Sequence, residues 1–285
     1  EEMLIDPQAW KTTGKKWQDV RTAINKAKRE GIVDVMTTFD EAPADVQSQI
    51  EGISEQWSQG KALPEMKFTL GGVEELKDPR VKILYAIDGD GVVQAVTSWL
   101  PTWRGGHVIG WTLDFMRYNH GSYNGIMEFL IARMAQRMHD WGEAHPDEQV
   151  RFVSLSAAPL SGLQHSSDAT SDDTSNIDGT TVLQHSLALV ADLLEPAYGF
   201  KSLYRFKLKF QPIQRPVYIC YRDSALLPNL AIAIIRAYLP SLTFREALGM
   251  LSSFKPKDDA PASAVSPSSA PAASSAPSPA SAPSD

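Results

Sequence analysis

The sequence predicts an α+β fold in which helices flank a mixed, mostly antiparallel sheet. Two β-rich runs, Val81–Ile87 and Val92–Trp99, surround an Asp-Gly turn, which is typical of a β-hairpin. A third β-rich run, Val108–Met116, leads into a long helical pattern that begins near Ile126. Another strand is predicted at Arg151–Ser156. A hairpin that feeds a strand–helix–strand unit therefore forms the centre of the predicted fold.

Helical periodicity also precedes the hairpin and follows the last of these strands. The apolar residues that recur at helical spacing are Trp17, Val20, Ile24 and Ala27 in a first helix, which ends at Gly31, and Val46, Ile50, Ile53 and Trp57 in a second, which begins near Pro43. Later helices are predicted at 180–195 and 227–239, with a strand around Val217–Tyr221 between them. Met127, Met134 and Met138 are predicted to be core.

Composition divides the chain of 285 residues into one lobe and a tail. Residues 1–254 have the apolar periodicity of a folded lobe. Residues 255–285 are almost entirely Pro, Ala and Ser, and these side chains are too small to offset the entropy of ordering, so we expect a disordered tail. The polar run between Ser161 and Thr181 is predicted to be a long loop, either a mobile lid or an insertion.

Charge is unevenly distributed along this acidic chain, whose net charge is −7. The segment Lys15–Glu30 has six basic residues and two acidic ones, and the segment Lys201–Arg215 has five basic residues and no acid. Two basic patches on an acidic protein indicate localised anion binding, although two ordinary solvated faces would have the same composition.

Several classes of protein are disfavoured by what the sequence lacks. No run reaches the about 18 apolar residues that cross a bilayer, and the first residues do not form a signal peptide. The chain starts without an initiator Met, which predicts a piece of a longer protein. The single cysteine, Cys220, is interpreted as a small buried residue rather than a catalytic thiol. No two histidines have i, i+4 spacing, so neither a metal site nor a cofactor is predicted, and His120 is a weak candidate base.

The predicted element order is that of the N-acetyltransferase-like (GNAT) fold, and four segments carry a more specific resemblance. They are Arg21–Gly31, Leu113–Arg117 with Asn124–Leu130, Ser154–Ser161, and Tyr198–Pro212 with Arg215–Tyr218. In this order they resemble the catalytic domain of the bacterial aminoacyl-phosphatidylglycerol synthases. The resemblance implies a transferase that moves an amino acid from aminoacyl-tRNA to a lipid hydroxyl, usually that of phosphatidylglycerol. It also implies the second of two GNAT-like lobes, behind an upstream lobe and a membrane domain, at the cytoplasmic face of the membrane.

Asp114 and Arg117 are the candidate catalytic residues. Asp114 alternates with Leu113 and Phe115, so in a regular strand it faces away from both. The spacing alone is equally typical of a strand-end ion pair of little energy. With the resemblance, Asp114 is interpreted as the carboxylate that holds the α-ammonium or a lysine side chain of the substrate, and Arg117 as the group that holds a phosphate or the terminal adenosine.

A basic cluster of Lys201, Arg205, Lys207 and Lys209 is the candidate substrate-binding surface. In a strand the last three would share one face, flanked by Phe206 and Phe210. Cations beside aromatic rings suit a tRNA acceptor end or a lipid phosphate. The alternative is an exposed edge strand that lysines protect from pairing. The helix that ends at Gly31 is a second candidate contact for tRNA phosphates, with an ordinary polar face as its alternative.

The general base is left open by the sequence. The resemblance implies an acidic residue between the Pro-Leu-Ser motif and the basic cluster, and Asp178, Asp192 and Glu195 are the candidates. An aminoacyl ester is already activated, so the lipid hydroxyl needs only positioning and a proton acceptor, without a covalent enzyme intermediate.

Two rival functions remain. An acyl-CoA-dependent N-acetyltransferase would need a glycine-rich pyrophosphate loop after the third strand, but this chain has His120 where the first glycine belongs. A non-enzymatic module that binds tRNA or a membrane would need only the two basic patches.

Overall fold

The computed structural model describes residues 1–59, 71–158, 200–218 and 220–223, with the single positions 226, 230 and 233. These residues all belong to one compact unit, Glu1–Ser241, and the chain's second unit is Leu242–Asp285. The predicted polar loop, the helix at 180–195, the tail, and most of the helix at 227–239 lie outside the described residues.

Among the described residues, seven strands form a single mixed sheet. They are β1 (Glu2–Ile5), β2 (Val33–Thr37), β3 (Lys82–Ile87), β4 (Val93–Arg104), β5 (His107–Tyr118), β6 (Phe152–Ala157) and β7 (Ile213–Arg215). Their order across the sheet is β2-β3-β4-β5-β6-β1-β7. Only β5 and β6 run parallel, and every other neighbouring pair is antiparallel. The predicted α+β class with a mostly antiparallel sheet is confirmed.

Helices cover both faces of this sheet. They are α1 (Gln18–Arg29), α2 (Ala44–Gln59), α3 (Val73–Leu76), α4 (Ile126–Ala144) and α5 (Phe200–Leu208). One buried apolar cluster joins α1 and α4 to the sheet and includes Phe210, which follows α5. A second cluster joins α2 and Leu76 of α3 to the other face. The domain therefore has three layers, with a core on each side of the sheet.

The elements with strong periodicity agree with the sequence analysis. The hairpin β3–β4 turns at Asp88, whose carboxylate accepts the backbone N–H groups of Asp90 and Val92 at 3.0 and 2.9 Å. The predicted stripes of α1 and α2 face the core, and all three methionines of α4 are buried. The sequence analysis missed β1, β2 and α3. It placed the last strand around Val217–Tyr221, whereas β7 ends at Arg215.

Hydrogen bonds of polar side chains fix α4 against the sheet and against α1. Arg133 and Arg137 each donate a hydrogen bond of 2.6 Å to one carboxylate oxygen of Asp34 on the edge strand β2. The hydroxyl of Tyr123 donates to the Ala23 carbonyl of α1 at 3.1 Å. These contacts hold the start and the middle of α4 in place, close to the segment that carries the candidate site residues.

Candidate functional site

A β-bulge lies in β5 at the predicted catalytic segment. Trp99 of β4 pairs with Leu113, and Thr97 pairs with Met116, so that Asp114 and Phe115 together lie opposite the single residue Ser98. Where two residues of one strand lie opposite a single residue of its partner, the alternation of side chains along the bulged strand is interrupted. The faces of the residues that follow the bulge are therefore shifted by one position relative to a regular strand.

This shift places Asp114 on the same side of the sheet as Phe115, which corrects the sequence analysis. Phe115 belongs to the apolar cluster under α2, whereas Leu113 belongs to the cluster under α4. Asp114 faces away from Leu113, as expected, but it does not face away from Phe115. In a regular strand residues three apart face opposite sides. The bulge brings Asp114 and Arg117 onto one face.

The carboxylate of Asp114 is half-buried on the α2 side of the sheet. Desolvation by burial raises the pKa of this carboxyl above its ordinary value, and the nearby Glu75 adds to the shift, while a hydrogen bond from the Gly71 backbone N–H and the charge of Arg117 oppose it. A desolvated carboxylate beside a single guanidinium suits the binding of a substrate ammonium.

The structure places Arg117, the candidate ligand for a phosphate or the terminal adenosine, below the surface of the domain. Its side chain is buried, and the guanidinium carbon lies 3.4 Å from the ring centroid of Trp57 and 4.6 Å from that of Phe115. One guanidinium nitrogen donates to the Met116 carbonyl at 2.9 Å. Planar stacking on aromatic rings orients an arginine and keeps its charge next to Asp114.

The pairing of the two parallel strands stops just before the bulge. Pairing of β5 with β6 runs from Gly110 to Thr112, opposite Phe152 to Ser154, and then stops. Ser156 of β6 has a positive φ of 64° and donates its hydroxyl to the Leu113 carbonyl, so a side chain replaces the backbone ladder here. The β5–β6 ladder therefore ends two residues before Asp114.

The basic cluster is helical, so Arg205, Lys207 and Lys209 do not share the face that they would share in a strand. Lys201, Arg205 and Lys207 lie in α5, and Lys209 follows its end. Residues two apart on a helix do not share a face. Arg205 is exposed, whereas Lys207 is 4% exposed. The cluster is therefore not one basic surface.

Lys207 and Lys209 hold neighbouring elements in place. The Lys207 ammonium donates to the carbonyl oxygens of Ala157 at 2.9 Å and Ser156 at 3.4 Å, at the end of β6. Burial lowers the pKa of Lys207 to about 8. Lys209 forms an ion pair of 2.7 Å with Glu128, a buried acid in the first turn of α4.

The loop between β5 and α4 uses its backbone amides internally. The N–H of Asn119 donates to the Gln94 carbonyl at 2.9 Å, that of Gly121 to the Asn119 side chain at 3.2 Å, and that of Ser122 to the Asn119 carbonyl at 2.9 Å. The buried carboxylate of Glu128 then occupies the start of α4. A pyrophosphate would meet occupied amides and a negative charge at this loop.

The remaining candidates are one cysteine, one histidine and several acidic residues. Cys220 is exposed, so its interpretation as a buried residue was wrong. His120 is exposed in the loop before α4. Asp178, Asp192 and Glu195 lie outside the described residues, and the general base stays open. His139, Asp140 and Glu143 are close enough to share a metal ion, but they lie along the second half of α4, and two of the three are exposed acids of a kind common without one.

Comparison with known proteins places the chain in a family. The profile of the phosphatidylglycerol lysyltransferase C-terminal domain matches residues 1–221. The chain belongs to this family. A 228-residue stretch is 40% identical to an uncharacterised protein of Corynebacterium glutamicum and covers 79% of this chain and 26% of that protein. A 237-residue stretch is 24% identical to the lysylphosphatidylglycerol biosynthesis bifunctional protein LysX of Mycobacterium tuberculosis and covers 83% of this chain and 19% of LysX.

Solved structures of phosphatidylglycerol lysyltransferase relatives share the fold. L-PGS from Bacillus licheniformis superposes with a TM-score of 0.60 at 22% identity, over 83% of this chain and 65% of that one. The C-terminal domain of a putative lysylphosphatidylglycerol synthetase from Agrobacterium fabrum gives a TM-score of 0.59 at 21% identity, over 82% of this chain and 64% of that one. The predicted GNAT-like fold is confirmed. The chain spans about a fifth to a quarter of the length of these curated relatives and just under two thirds of these solved chains.

Proposed function

We propose that this chain is the catalytic lobe of an enzyme that transfers an amino acid from aminoacyl-tRNA to the hydroxyl of phosphatidylglycerol or a related glycerolipid. Membership of the phosphatidylglycerol lysyltransferase family supports lipid aminoacylation. The observation that carries the proposal is the bulge in β5, which sets the Asp114 carboxylate beside the buried Arg117 where β5 and β6 separate.

In this proposal Asp114 holds the ammonium of the incoming amino acid. A half-buried carboxylate interacts more strongly with a cation than an exposed one, because less water screens the pair. The charge of Arg117 opposes the rise that burial causes in the pKa of Asp114, and in this proposal Arg117 supports the anionic end of the donor, while its stacking on Trp57 fixes its orientation. The ester carbonyl of the donor would then lie between the separated strand ends.

The reaction itself is acyl transfer between oxygens. The lipid hydroxyl attacks the ester carbon, its proton passes to a base, and the tRNA ribose oxygen leaves. Asp178, Asp192 and Glu195 remain the candidate bases. Exposed basic residues on and before α1, among them Lys15, Lys16, Lys28 and Arg29, are candidate contacts for tRNA phosphates.

Partners of the proposed enzyme are aminoacyl-tRNA, a phospholipid acceptor, an upstream lobe and a membrane domain, which would place it at the cytoplasmic face of the membrane. Among the described residues, no helix is long and apolar enough to cross a bilayer. The binding of lipid would then depend on a part of the protein outside these residues, or on contacts at the membrane surface.

The rival N-acetyltransferase function is disfavoured by the loop before α4. The amides of Gly121 and Ser122 donate within the loop, and Glu128 carries negative charge at the helix start. A non-enzymatic binding module that uses this basic cluster is disfavoured by Lys207 and Lys209, because both ammonium groups already contact carbonyl or carboxylate oxygens of this chain.

The test is transfer of radiolabelled lysine or alanine from charged tRNA to phosphatidylglycerol vesicles by the full-length protein. Asp114→Asn keeps the shape but removes the charge, so we expect transfer to fall at least tenfold, about 1.4 kcal/mol of transition-state binding. Arg117→Lys should also be costly, because an ammonium cannot stack as a planar guanidinium does.

Asp88→Asn is the matched control. It removes the same charge from a carboxylate that also accepts backbone N–H groups, but in the β3–β4 turn, and we expect wild-type transfer. Wild-type transfer by Asp114→Asn would contradict the assignment of the site. Acetyl transfer from acetyl-CoA, with none from charged tRNA, would favour the N-acetyltransferase.

A further inference from the structure

We propose that Gly71 and Ser98 are positioning residues that fix the carboxylate of Asp114 for aminoacyl transfer. The inference rests on the proposed function, since it assigns Asp114 to the substrate ammonium. Neither residue carries a charge or belongs to the charged motifs of the sequence. Both act through Asp114. Ser98 acts on the backbone of the bulge that bears Asp114, and Gly71 acts on the Asp114 side chain.

Ser98 stabilises the bulge. Two residues opposite one leave a backbone N–H of the bulged strand without its ladder partner. The Ser98 hydroxyl accepts this N–H, that of Phe115, at 3.1 Å, and the serine is 1% exposed, so water does not substitute for it. A buried N–H without an acceptor is strongly unfavourable. Removal of the hydroxyl therefore favours a regular pairing, in which Asp114 and Arg117 face opposite sides of the sheet.

Gly71 limits where the carboxylate can lie. Its backbone N–H donates to Asp114. A Cβ atom added at Gly71 would overlap the Asp114 carboxylate, and the backbone there is not in the left-handed region that favours glycine. The absence of a side chain therefore serves the close approach of Asp114 rather than a turn.

The segment that carries Gly71 is itself held. The next residue, Gly72, donates its N–H to the Glu75 carboxylate at 2.8 Å, at the start of α3. A methyl group at position 71 would meet the end of a short side chain rather than backbone atoms. We therefore expect Gly71→Ala to displace the Asp114 carboxylate and to leave the main chain in place.

The first experiment measures transfer from charged tRNA to phosphatidylglycerol vesicles by the full-length protein. Gly71→Ala and Ser98→Ala should each lower kcat/KM for the charged tRNA at least fivefold. Gly52→Ala and Thr97→Val are matched controls and should stay within twofold of wild type. Gly52 lies on α2 with open space around it, and Thr97 is a buried hydroxyl next to Ser98 that bonds Leu84 and Trp99 instead of the bulge.

A double-mutant cycle with Asp114→Asn separates positioning from general damage. If Gly71 and Ser98 act through Asp114, Gly71→Ala should cost less than twofold in the Asp114→Asn background. An undiminished fivefold cost in that background would show that Gly71 acts elsewhere and would overturn the inference. If Ser98→Ala fails to fold, Gly71→Ala alone decides the cycle.

The outcomes also distinguish the inference from the proposed function. Gly71→Ala and Ser98→Ala with wild-type transfer, beside an impaired Asp114→Asn, would overturn the positioning role and leave the function intact. Asp114→Asn with wild-type transfer would instead remove the function assigned to the site.

Discussion

Charged residues of the family motifs occur in two regions of this domain, and the two regions use charge differently. On β5, Asp114 is half-buried with one backbone N–H and one guanidinium nearby. After and within α5, Lys209 contacts Glu128, and Lys207 contacts two carbonyl oxygens of β6. In the proposed function the β5 pair receives a ligand, whereas the α5 lysines contact the end of β6 and the start of α4. Resemblance identifies both sets of charges, but only their contacts distinguish these roles.

The largest expected difference lies within α5 itself, between Lys207 and Arg205. Lys207→Glu would place a buried carboxylate against the carbonyl oxygens of Ser156 and Ala157, and we expect a loss on the order of 4 kcal/mol in the free energy of unfolding. Arg205→Glu, two residues away and exposed, should change it by less than about 0.5 kcal/mol. Urea denaturation measures both, and equal stability of the two variants would contradict the buried position of Lys207.

Charge reversal at Lys207 therefore measures the stability of the domain rather than tRNA binding. The salt dependence of tRNA binding is better tested at exposed positions such as Arg205, Lys28 and Arg29. At these positions a charge can change without an effect on the core.

The second prediction concerns the pH dependence of stability that Lys207 causes. Burial lowers its pKa in the folded protein to about 8, whereas the unfolded chain keeps the ordinary value of about 10.4. Between these values the unfolded state binds more protons, so stability rises with pH, and this contribution is lost as pH falls through about 8.

The variant Lys207→Met measures the contribution of Lys207 to the pH dependence of stability. The free energy of unfolding of the wild type, minus that of Lys207→Met, should increase by roughly 2.5 kcal/mol from pH 8 to pH 10.4. The difference removes the titration of other groups, since both proteins share them. A difference that does not change with pH would show that Lys207 is solvated.

A smaller loss is expected for the ion pair of Lys209 with Glu128. Glu128→Gln removes the charge opposite Lys209, whose side chain is 35% exposed, so water offsets part of the cost. We expect a loss of roughly 2 kcal/mol, between the values for buried and surface pairs. Glu128→Gln combined with Lys209→Met should recover most of it, and no recovery would assign the loss to the first turn of α4 instead.

The fold was predictable where apolar periodicity extends over many residues. The β3–β4 hairpin and α4 show it clearly. Strands β1 and β7 have four and three residues, which is too short for periodicity to appear. Segment 204–210 alternates aromatic or aliphatic with basic residues, a strand pattern, yet α5 is a helix. Phe206 and Phe210 are four residues apart, and this spacing was the sequence signal for a helix. Their ring centroids lie 5.6 Å apart.

The candidate site was predictable only in part. The sequence analysis named Asp114 and Arg117, and the structure brings them together, but through a bulge that no residue pattern announces. Alternation assumes regular pairing, so it placed Phe115 on the wrong side relative to Asp114. Trp57, Gly71 and Ser98 were missed as contributors, because their contacts with this segment are long-range and leave no local spacing to read.

The smallest effect is expected at the C-terminal tail, whose structure lies outside the described residues. After Lys255 the only apolar side chain larger than alanine, apart from the prolines, is Val265, so the tail has little apolar surface to bury. Truncation after Lys255 should therefore change the melting temperature by less than about 2 °C, in contrast to Lys207→Glu, because it removes no core side chain. Differential scanning calorimetry of the full chain and the truncated chain measures the shift. A decrease of several degrees would show that the tail packs on the folded lobe and that composition alone misjudged it.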